Sequence, residues 1–217
     1  MYKRQEEELL RQQERERALR DQLESRPDVR LQAPALDEGG SRLPVKEAPC
    51  FAIKDIRLIG DASEKFQWAL KAANPEEDSA VGRCLGGAGI NMTMKRMQNA
   101  IIQAGFVTTR VLAEAQDLNS GILVLTIVPG RIREIRFAEG TSRRATLWNA
   151  MPANPGDLLN LRDIEQALEN FKRVPTADAD IQITPTLAAD AKPGESDVVI
   201  KWSPVSYTHL TLPTSDL

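Results

Sequence analysis

The chain has 217 residues, with 28 basic and 31 acidic side chains and a formal net charge of -3. This length is sufficient for one domain of ordinary size or for two small domains. The charge balance excludes a basic nucleic-acid-binding protein as the default interpretation. No apolar run approaches the roughly 18–20 residues that a transmembrane helix needs.

The two ends of the chain can be encoded by inverted copies of one DNA sequence. Tyr2–Gln5 is compatible with one strand of it, and Val205–Thr208 with the complementary strand in a shifted frame. This DNA sequence resembles the transposon end used to prepare sequencing libraries; the alternative is a chance similarity of two short peptides. We therefore expect residues 1–5 and 204–217 to be translated adapter, which does not belong in fold reasoning. The single histidine, His209, lies in this segment, so the remaining chain lacks histidine for acid–base chemistry or metal binding.

The first predicted element is a polar helix over residues 6–26. Glu7–Arg11 and Glu16–Arg20 are i,i+4 pairs in the favourable order, and the apolar residues are too few for a wide buried stripe. Such a helix is either exposed to solvent or sits in a water-filled space or between domains. Residues 27–49 follow with four prolines and a Gly-Gly pair, which predicts a semi-extended linker.

From Cys50 onward the sequence predicts the order strand–helix–helix–strand–strand twice. The strands alternate apolar and polar residues, and the stronger helix of each copy has an apolar stripe and a stop signal. The elements of the first copy are Ile53–Gly60, about Glu64–Ala73, about Asn91–Ala104, Phe106–Leu112 and Ile122–Val128. Those of the second are Ile132–Gly140, Ala145–Met151, Leu161 to about Arg173, Ile181–Leu187 and Val198–Trp202. Each copy is thus predicted to be a three-stranded sheet with two helices on one face.

Both cysteines fall in the first copy. Cys50 precedes its first strand and Cys84 lies between its two helices. A zinc site would need about four ligands, so we favour a disulfide over two free buried thiols. Such a crosslink would stabilise the domain by roughly 3–4 kcal/mol in the chain-entropy description, and it favours a compartment outside the cytoplasm.

A motif in the second copy resembles a known family. The order of elements is similar to that of the polypeptide-transport-associated (POTRA) domain, and the second helix resembles the corresponding signature of two-partner secretion transporters of the haemolysin secretion and activation type. The matching residues are Asn160, Leu161, Arg162, Asp163, Glu165, Gln166, Ala167, Leu168, Arg173 and Pro175. Val128–Ile132 resembles the junction between their two POTRA domains, and Cys50–Gly60 resembles the start of the first one.

The resemblance extends from Glu6 to about Ser203 and implies an α+β fold with two tandem POTRA domains at residues 50–129 and 130–203. Each would hold a three-stranded mixed sheet with two helices on one face. The resemblance implies that helix 6–26 is a plug and that the chain is the periplasmic part of an outer-membrane transporter whose C-terminal β-barrel is not in this sequence. The implied partners are that barrel and the N-terminal secretion domain of an unfolded exoprotein, which is a haemolysin, an adhesin or a contact-dependent inhibition toxin. The resemblance implies no cofactor, metal, nucleic acid or small-molecule substrate.

In this family the POTRA domains capture the exoprotein, and open strand edges offer a physical basis for capture. If the sheets follow the family's order, the last strand is central and the strand after the second helix is an edge. The predicted substrate-binding residues on these edges are Val107, Thr109, Val111, Ile181 and Ile183. The alternative is that these side chains face the helices and complete the core.

Three other functions compete with this interpretation. An outer-membrane assembly factor would be expected to have more POTRA copies and no plug helix, and a periplasmic scaffold would have no transport role. An enzyme would need carboxylates such as Asp163 with Glu165, or those in Glu76–Asp78, to act as acid and base. These are better explained as helix-start and loop charges. Gly86–Gly89 precedes a helix but lacks the spacing of a phosphate-binding loop, so we expect no enzymatic activity.

Overall fold

The computed structural model of the protein describes residues 42–173 and 176–205. The predicted polar helix at residues 6–26, most of the linker and the terminal segments 1–5 and 206–217 lie outside the described residues.

The first repeat contains five strands, a 3₁₀ helix that continues into a short α-helix, and one long α-helix. Its elements are β1 (Phe51–Ala52), β2 (Asp55–Gly60), a 3₁₀ helix (Ser63–Ala69) continuing into α1 (Leu70–Ala73), β3 (Cys84–Leu85), α2 (Gly87–Gln103), β4 (Arg110–Leu112) and β5 (Ile122–Val128). Short 3₁₀ turns lie at Glu76–Asp78 and Leu118–Ser120. The disulfide between Cys50 and Cys84, whose Cα atoms are 5.2 Å apart, fastens the start of this repeat to the start of α2.

The second repeat is simpler. It contains β6 (Arg131–Phe137), α3 (Leu161–Phe171), β7 (Ala177–Pro185) and β8 (Glu195–Pro204). Asn160 caps α3, because its side-chain oxygen accepts a hydrogen bond from the backbone N–H of Arg162 at 2.9 Å. This is the cap that the sequence predicts.

Both repeats have the same mixed three-stranded sheet. The strand orders are β2-β5-β4 and β6-β8-β7, so the last strand of each repeat is central. In each sheet the first and last strands are parallel, and the strand after the long helix pairs antiparallel with the last strand. The predicted α+β class and the edge position of β4 and β7 are confirmed. A separate two-stranded sheet joins β1 to β3.

The hydrophobic core of the first repeat lies between its sheet and helix α2. Alternate residues of β5 are buried, namely Leu123, Leu125 and Ile127, and they meet Met97 and Ile101 of the predicted helix stripe. In the second repeat the stripe of α3 packs against alternate residues of β7 and β8. Its buried members are Leu161, Ile164, Ala167, Leu168 and Phe171. The alternation of each strand and the 3.6-residue period of each helix thus produce one apolar layer per repeat.

The predicted helix over Ala145–Met151 is wrong. The loop that replaces it contains only turns, and Trp148 protrudes from it. Seven residues are too few for a helix that is stable without packing, and Pro152 disfavours helical backbone at the residue before it.

Helix α2 begins at Gly87, four residues before the predicted start at Asn91. Glycine has a poor helix propensity, so the sequence pattern placed the start too late. The early turn is held by a distant residue of the linker, Glu47. Its carboxylate accepts hydrogen bonds from the backbone N–H groups of Gly86, Ala88 and Gly89 at 2.6–3.1 Å.

Candidate substrate-binding edges

The hydrogen-bond register of β7 identifies which of its backbone groups face away from the sheet. The N–H of Val205 donates to the carbonyl of Thr176 at 2.7 Å, so these two residues form a hydrogen-bonded pair of the antiparallel ladder formed by β7 and β8. Such pairs alternate along a ladder, and the register from Ala177 to Pro185 is unbroken. The odd-numbered residues of β7 therefore point their N–H and C=O groups to the free side.

This alternation places the backbone of two predicted substrate-binding residues, Ile181 and Ile183, on the free edge. The outward N–H groups of Ala177, Ala179, Ile181 and Ile183 have no hydrogen-bond partner among the described residues. Pro185 is the next outward position, and it has no N–H to offer. The open part of the edge is therefore a short ladder of four donors.

The side chains of β7 separate into two faces. Ala179 and Ile181 are buried against the helix side, whereas Asp178, Asp180 and Gln182 are exposed on the other face. The buried face confirms that the side chain of Ile181 completes the core, which was the alternative interpretation. The backbone of the same residue nevertheless remains open at the edge, so the two interpretations are compatible for β7.

The edge of the first sheet is closed by a side chain. The outward N–H of Val111 donates to Oε1 of Gln98 at 2.9 Å, and Nε2 of Gln98 donates to the carbonyl of Thr109 at 2.8 Å. Gln98 lies on α2 and thus occupies the position of a fourth strand. Beyond the end of β4, Gln116 does the same for β5, since its amide exchanges two hydrogen bonds with the backbone of Val124 at 2.7 and 2.8 Å.

The predicted strand Phe106–Leu112 is too long, and this corrects the placement of Val107 and Thr109. β4 begins at Arg110. The N–H groups of Val107 and Thr109 are bonded to the carbonyls of Gly105 and Phe106 in the preceding turn. Thr109 is fully buried, and its hydroxyl oxygen accepts the N–H of Gly130 at 3.0 Å. These two residues therefore belong to a turn and to the domain junction instead of a strand edge.

The end of the linker is fastened to the first repeat next to these elements. Leu43 is buried, and its N–H donates to Oδ2 of Asp78 at 2.7 Å. Asp78 also forms ion pairs with Arg83 and Arg96. The Leu43 N–H and then the Arg96 guanidinium lower the pKa of the Asp78 carboxyl, because both stabilise its charged form.

The glycines at the start of α2 have a structural explanation. A Cβ atom at Gly89 would lie 2.7 Å from Oε2 of Glu47, and one at Gly86 would lie 2.7 Å from the carbonyl oxygen of Pro49. Glycine therefore lets the linker approach the helix start. The helix N-terminus does bind an anion, as such termini favour, but the anion is the protein's own Glu47.

The residues of the predicted family motif in α3 divide into a buried stripe and an exposed face. Asp163 lies in the first turn, where burial and then the nearby Asp157 carboxylate raise the pKa of its side chain. Pro175 lies outside the described residues. Within the described residues no group of His, Cys, Asp and Glu could hold a metal ion, and no described helix is long and apolar enough to cross a membrane.

Comparison with known families agrees with this geometry. The first repeat, residues 51–130, matches the POTRA domain of ShlB type, and residues 131–185 match a second POTRA domain. The chain belongs to the POTRA family. The two matches meet at residues 130 and 131, where β5 has ended and β6 begins.

The curated relatives of this POTRA pair are outer-membrane transporters. The chain is 39% identical over 202 residues to the outer membrane transporter CdiB-2 of Burkholderia pseudomallei and 36% identical over 157 residues to CdiB of Dickeya dadantii. These matches include 87% and 70% of this chain but 33% and 25% of the relatives. The chain thus spans about a third or less of the length of these relatives.

The matches among solved structures likewise cover most of this chain and a smaller share of the other chain. CdiB from Acinetobacter baumannii superposes with a TM-score of 0.73 at 30% identity, over 92% of this chain and 38% of that chain. The N-terminal domain of Omp85 from Thermosynechococcus elongatus has a TM-score of 0.52 at 14% identity, over 72% and 67% of the two chains, and shares the fold alone. The POTRA pair therefore corresponds to the periplasmic part of outer-membrane transporters of the two-partner secretion type, to which its relatives belong. Its relatives are transporters and not enzymes.

Proposed function

We propose that the second POTRA domain captures the secreted exoprotein by accepting one of its extended segments as a fourth strand on β7. The substrate would be the unfolded N-terminal secretion domain of a large exoprotein. Since its relatives carry the name CdiB, a toxin of contact-dependent inhibition is favoured over a haemolysin or an adhesin.

The observation that carries this proposal is the row of outward N–H groups at Ala177, Ala179, Ile181 and Ile183. An unpaired strand edge is a template for an extended peptide, because main-chain hydrogen bonds supply affinity without requiring a particular sequence. Four donors followed by Pro185 limit the added ladder to a few residues. Such a short ladder binds weakly enough for the chain to be passed on.

The asymmetry between the two sheets supports the same assignment. In the first sheet Gln98 already pairs with Thr109 and Val111, so a new strand would have to displace these bonds. In the second sheet the corresponding edge is free within the described residues. The substrate-binding role predicted for Ile181 and Ile183 is thus retained, whereas that of Val107, Thr109 and Val111 has less support.

The test compares two substitutions at Ile183. Ile183→Pro removes the outward N–H and blocks pairing at the edge, whereas Ile183→Ala removes most of the side chain and keeps the N–H. The ligand is the N-terminal region of the large secreted protein encoded by the neighbouring gene, and its affinity is measured by calorimetry. We expect the proline variant to bind about tenfold or more weakly and the alanine variant to bind nearly as the parent does.

Two controls make the result interpretable. Circular dichroism must show that both variants remain folded, and hydrogen exchange in the parent should show that the amides of Ile181 and Ile183 become protected when the exoprotein fragment binds. Equal affinity of the folded proline variant and the parent, together with unprotected amides, would exclude strand addition on β7.

A further inference from the structure

The loop between β6 and α3 holds a tryptophan in an unusual position. Trp148 is 85% exposed. It lies at the tip of a turn in which the N–H groups of Ala150 and Met151 donate to the carbonyl of Leu147 at 3.1 and 2.9 Å. The backbone thus holds a large apolar side chain in water, where burial would otherwise be favourable by about 25 cal/mol per Å². A single exposed aromatic side chain is common on protein surfaces, so Trp148 is informative only together with the charged residues near it.

A cavity beside this turn carries positive charge. Its volume is about 260 Å³, and its walls include Arg144, Thr146, Asn149, Asn170, Arg173 and Trp202 but no carboxylate. The arginine, asparagine and threonine side chains offer hydrogen-bond donors, and Phe171 and Trp202 add aromatic rings to the lining. Guanidinium and amide groups in this arrangement suit a phosphate or another small anion.

The arginine charges around the cavity are not neutralised by ion pairs among the described residues. Arg143, Arg144 and Arg173 form no ion pair with another described residue. Two other arginines of the same domain, Arg131 and Arg133, are paired with Asp61 and Asp190. Arg144 and Arg173 line the cavity and Arg143 adjoins Arg144 in the chain, so the three arginines leave a local excess of positive charge at the loop that carries Trp148.

The site is held on a rigid frame at the end of the domain. Nδ2 of Asn170 donates to the carbonyl of Ala150 at 2.9 Å, which ties the loop to α3. The N–H of Ser142 donates to the carbonyl of Trp202 at 3.2 Å, and the Trp202 indole donates to the carbonyl of Phe171 at 3.1 Å. The loop therefore lies at the C-terminal end of the central strand β8, two residues before that strand ends at Pro204.

We propose that this loop docks the second POTRA domain onto the outer membrane by binding the phosphate of an anionic phospholipid headgroup. The three arginines would contact phosphate, and Trp148 would enter the interfacial region, where tryptophan side chains are favoured because they combine an apolar ring with a polar N–H. Arginine forms bidentate hydrogen bonds with phosphate. A periplasmic domain of an outer-membrane transporter lies next to such a surface, and docking would fix its orientation.

The test uses the full chain and vesicles of defined composition. Co-sedimentation with phosphatidylcholine vesicles that contain phosphatidylglycerol is compared with co-sedimentation with phosphatidylcholine alone. We expect binding to the anionic vesicles that weakens with salt. Each removed arginine should weaken it about fivefold, so the triple variant Arg143→Gln, Arg144→Gln, Arg173→Gln should bind about a hundredfold more weakly.

A matched variant distinguishes the effect of this site from the effect of the protein's total charge. Lys54→Gln, Lys65→Gln and Lys71→Gln together remove the same charge from exposed positions of the first domain and should retain binding within a few-fold. Brominated lipids should quench the fluorescence of the parent and of Trp68→Phe, and the quenching should be lost in Trp148→Phe. All of these substitutions are at exposed positions, and circular dichroism checks that each variant remains folded.

Three results would overturn the proposal. The first is equal binding of the parent to anionic and neutral vesicles, and the second is an equal loss of binding in the arginine and lysine triple variants. The third is saturable binding of inorganic phosphate at the arginines without any preference for phosphatidylglycerol vesicles, because this would make the cavity a site for a free anion.

Discussion

Asp78 joins the end of the linker to the first domain through one carboxylate. It accepts the N–H of Leu43 and pairs with Arg83 and Arg96. These contacts lower the pKa of the Asp78 carboxyl in the folded state. A lowered carboxyl pKa stabilises the fold at pH values above the unfolded pKa of about 3.9, and this contribution is lost as the pH falls through the folded pKa.

Replacing Asp78 should therefore change how stability depends on pH. We expect Asp78→Asn to be less stable than the parent at pH 7 and to lose less stability between about pH 5 and pH 2, as measured by urea unfolding. The slope of stability against pH should be reduced but not abolished, because Arg131 and Arg133 likewise lower the pKa values of Asp61 and Asp190. Asp55→Asn, whose carboxylate contacts the exposed Arg57, is the control. Parallel pH profiles for the parent and Asp78→Asn would contradict the assignment.

At the scale of elements, a local sequence pattern predicts the helices and strands whose bounds depend on that pattern alone. β5 was placed at its observed bounds because its alternation is complete, and α3 was located by its Asn160 cap and apolar stripe. β4 and the start of α2 were misplaced because distant side chains decide them. Gln98 occupies the edge of β4, and Glu47 holds the first turn of α2. Such contacts leave no periodic signal in the sequence.

The candidate substrate-binding edge of β7 likewise has features that the sequence predicts and features that it does not. The edge position of β7 and the residues Ile181 and Ile183 were predictable from the order of elements. Which N–H groups face outward depends on the register, which here follows from the bond between Val205 and Thr176. A shift of the strand register by one residue would turn every outward N–H and C=O group inward and every inward group outward. No local sequence pattern distinguishes the two registers.

The glutamine that closes β4 provides a test of edge protection. Gln98→Ala would expose the N–H of Val111 and the carbonyl of Thr109. We expect the free energy of unfolding to fall by about 1–2 kcal/mol, because two neutral hydrogen bonds are lost. The opened edge should also promote self-association, which light scattering would detect. Gln103→Ala on the same helix, at an exposed position, should change neither property. A monomeric Gln98→Ala variant with parental stability would contradict this role.

At the scale of the whole molecule, the two POTRA domains are joined by directed backbone contacts. The N–H of Gly130 donates to Thr109, and its carbonyl accepts the N–H of Leu159 at 2.8 Å. Leu158 of the second domain packs against the core of the first. The ion pair between Arg131 and Asp61 also bridges the domains, but exposed pairs contribute little. The relative orientation of the domains is therefore set by packing and backbone hydrogen bonds, which are short-ranged.

A close contact between the end of α2 and the start of α3 predicts the effect of one added methyl group. The carbonyl of Gly105 accepts the N–H of Leu161 at 2.8 Å, and a Cβ atom at Gly105 would lie 2.2 Å from Oδ1 of Asn160. Gly105→Ala should therefore push the Asn160 side chain out of its cap and loosen the contact between the domains, so that residual dipolar couplings fit one alignment tensor in the parent and two in the variant. The φ angle of +98° at Gly105 adds strain of about 1–3 kcal/mol. Gly140→Ala carries similar strain at +78° with open space around its Cβ, and it should lower stability without changing the tensor. A single shared tensor in Gly105→Ala would mean that the domain orientation does not depend on this contact.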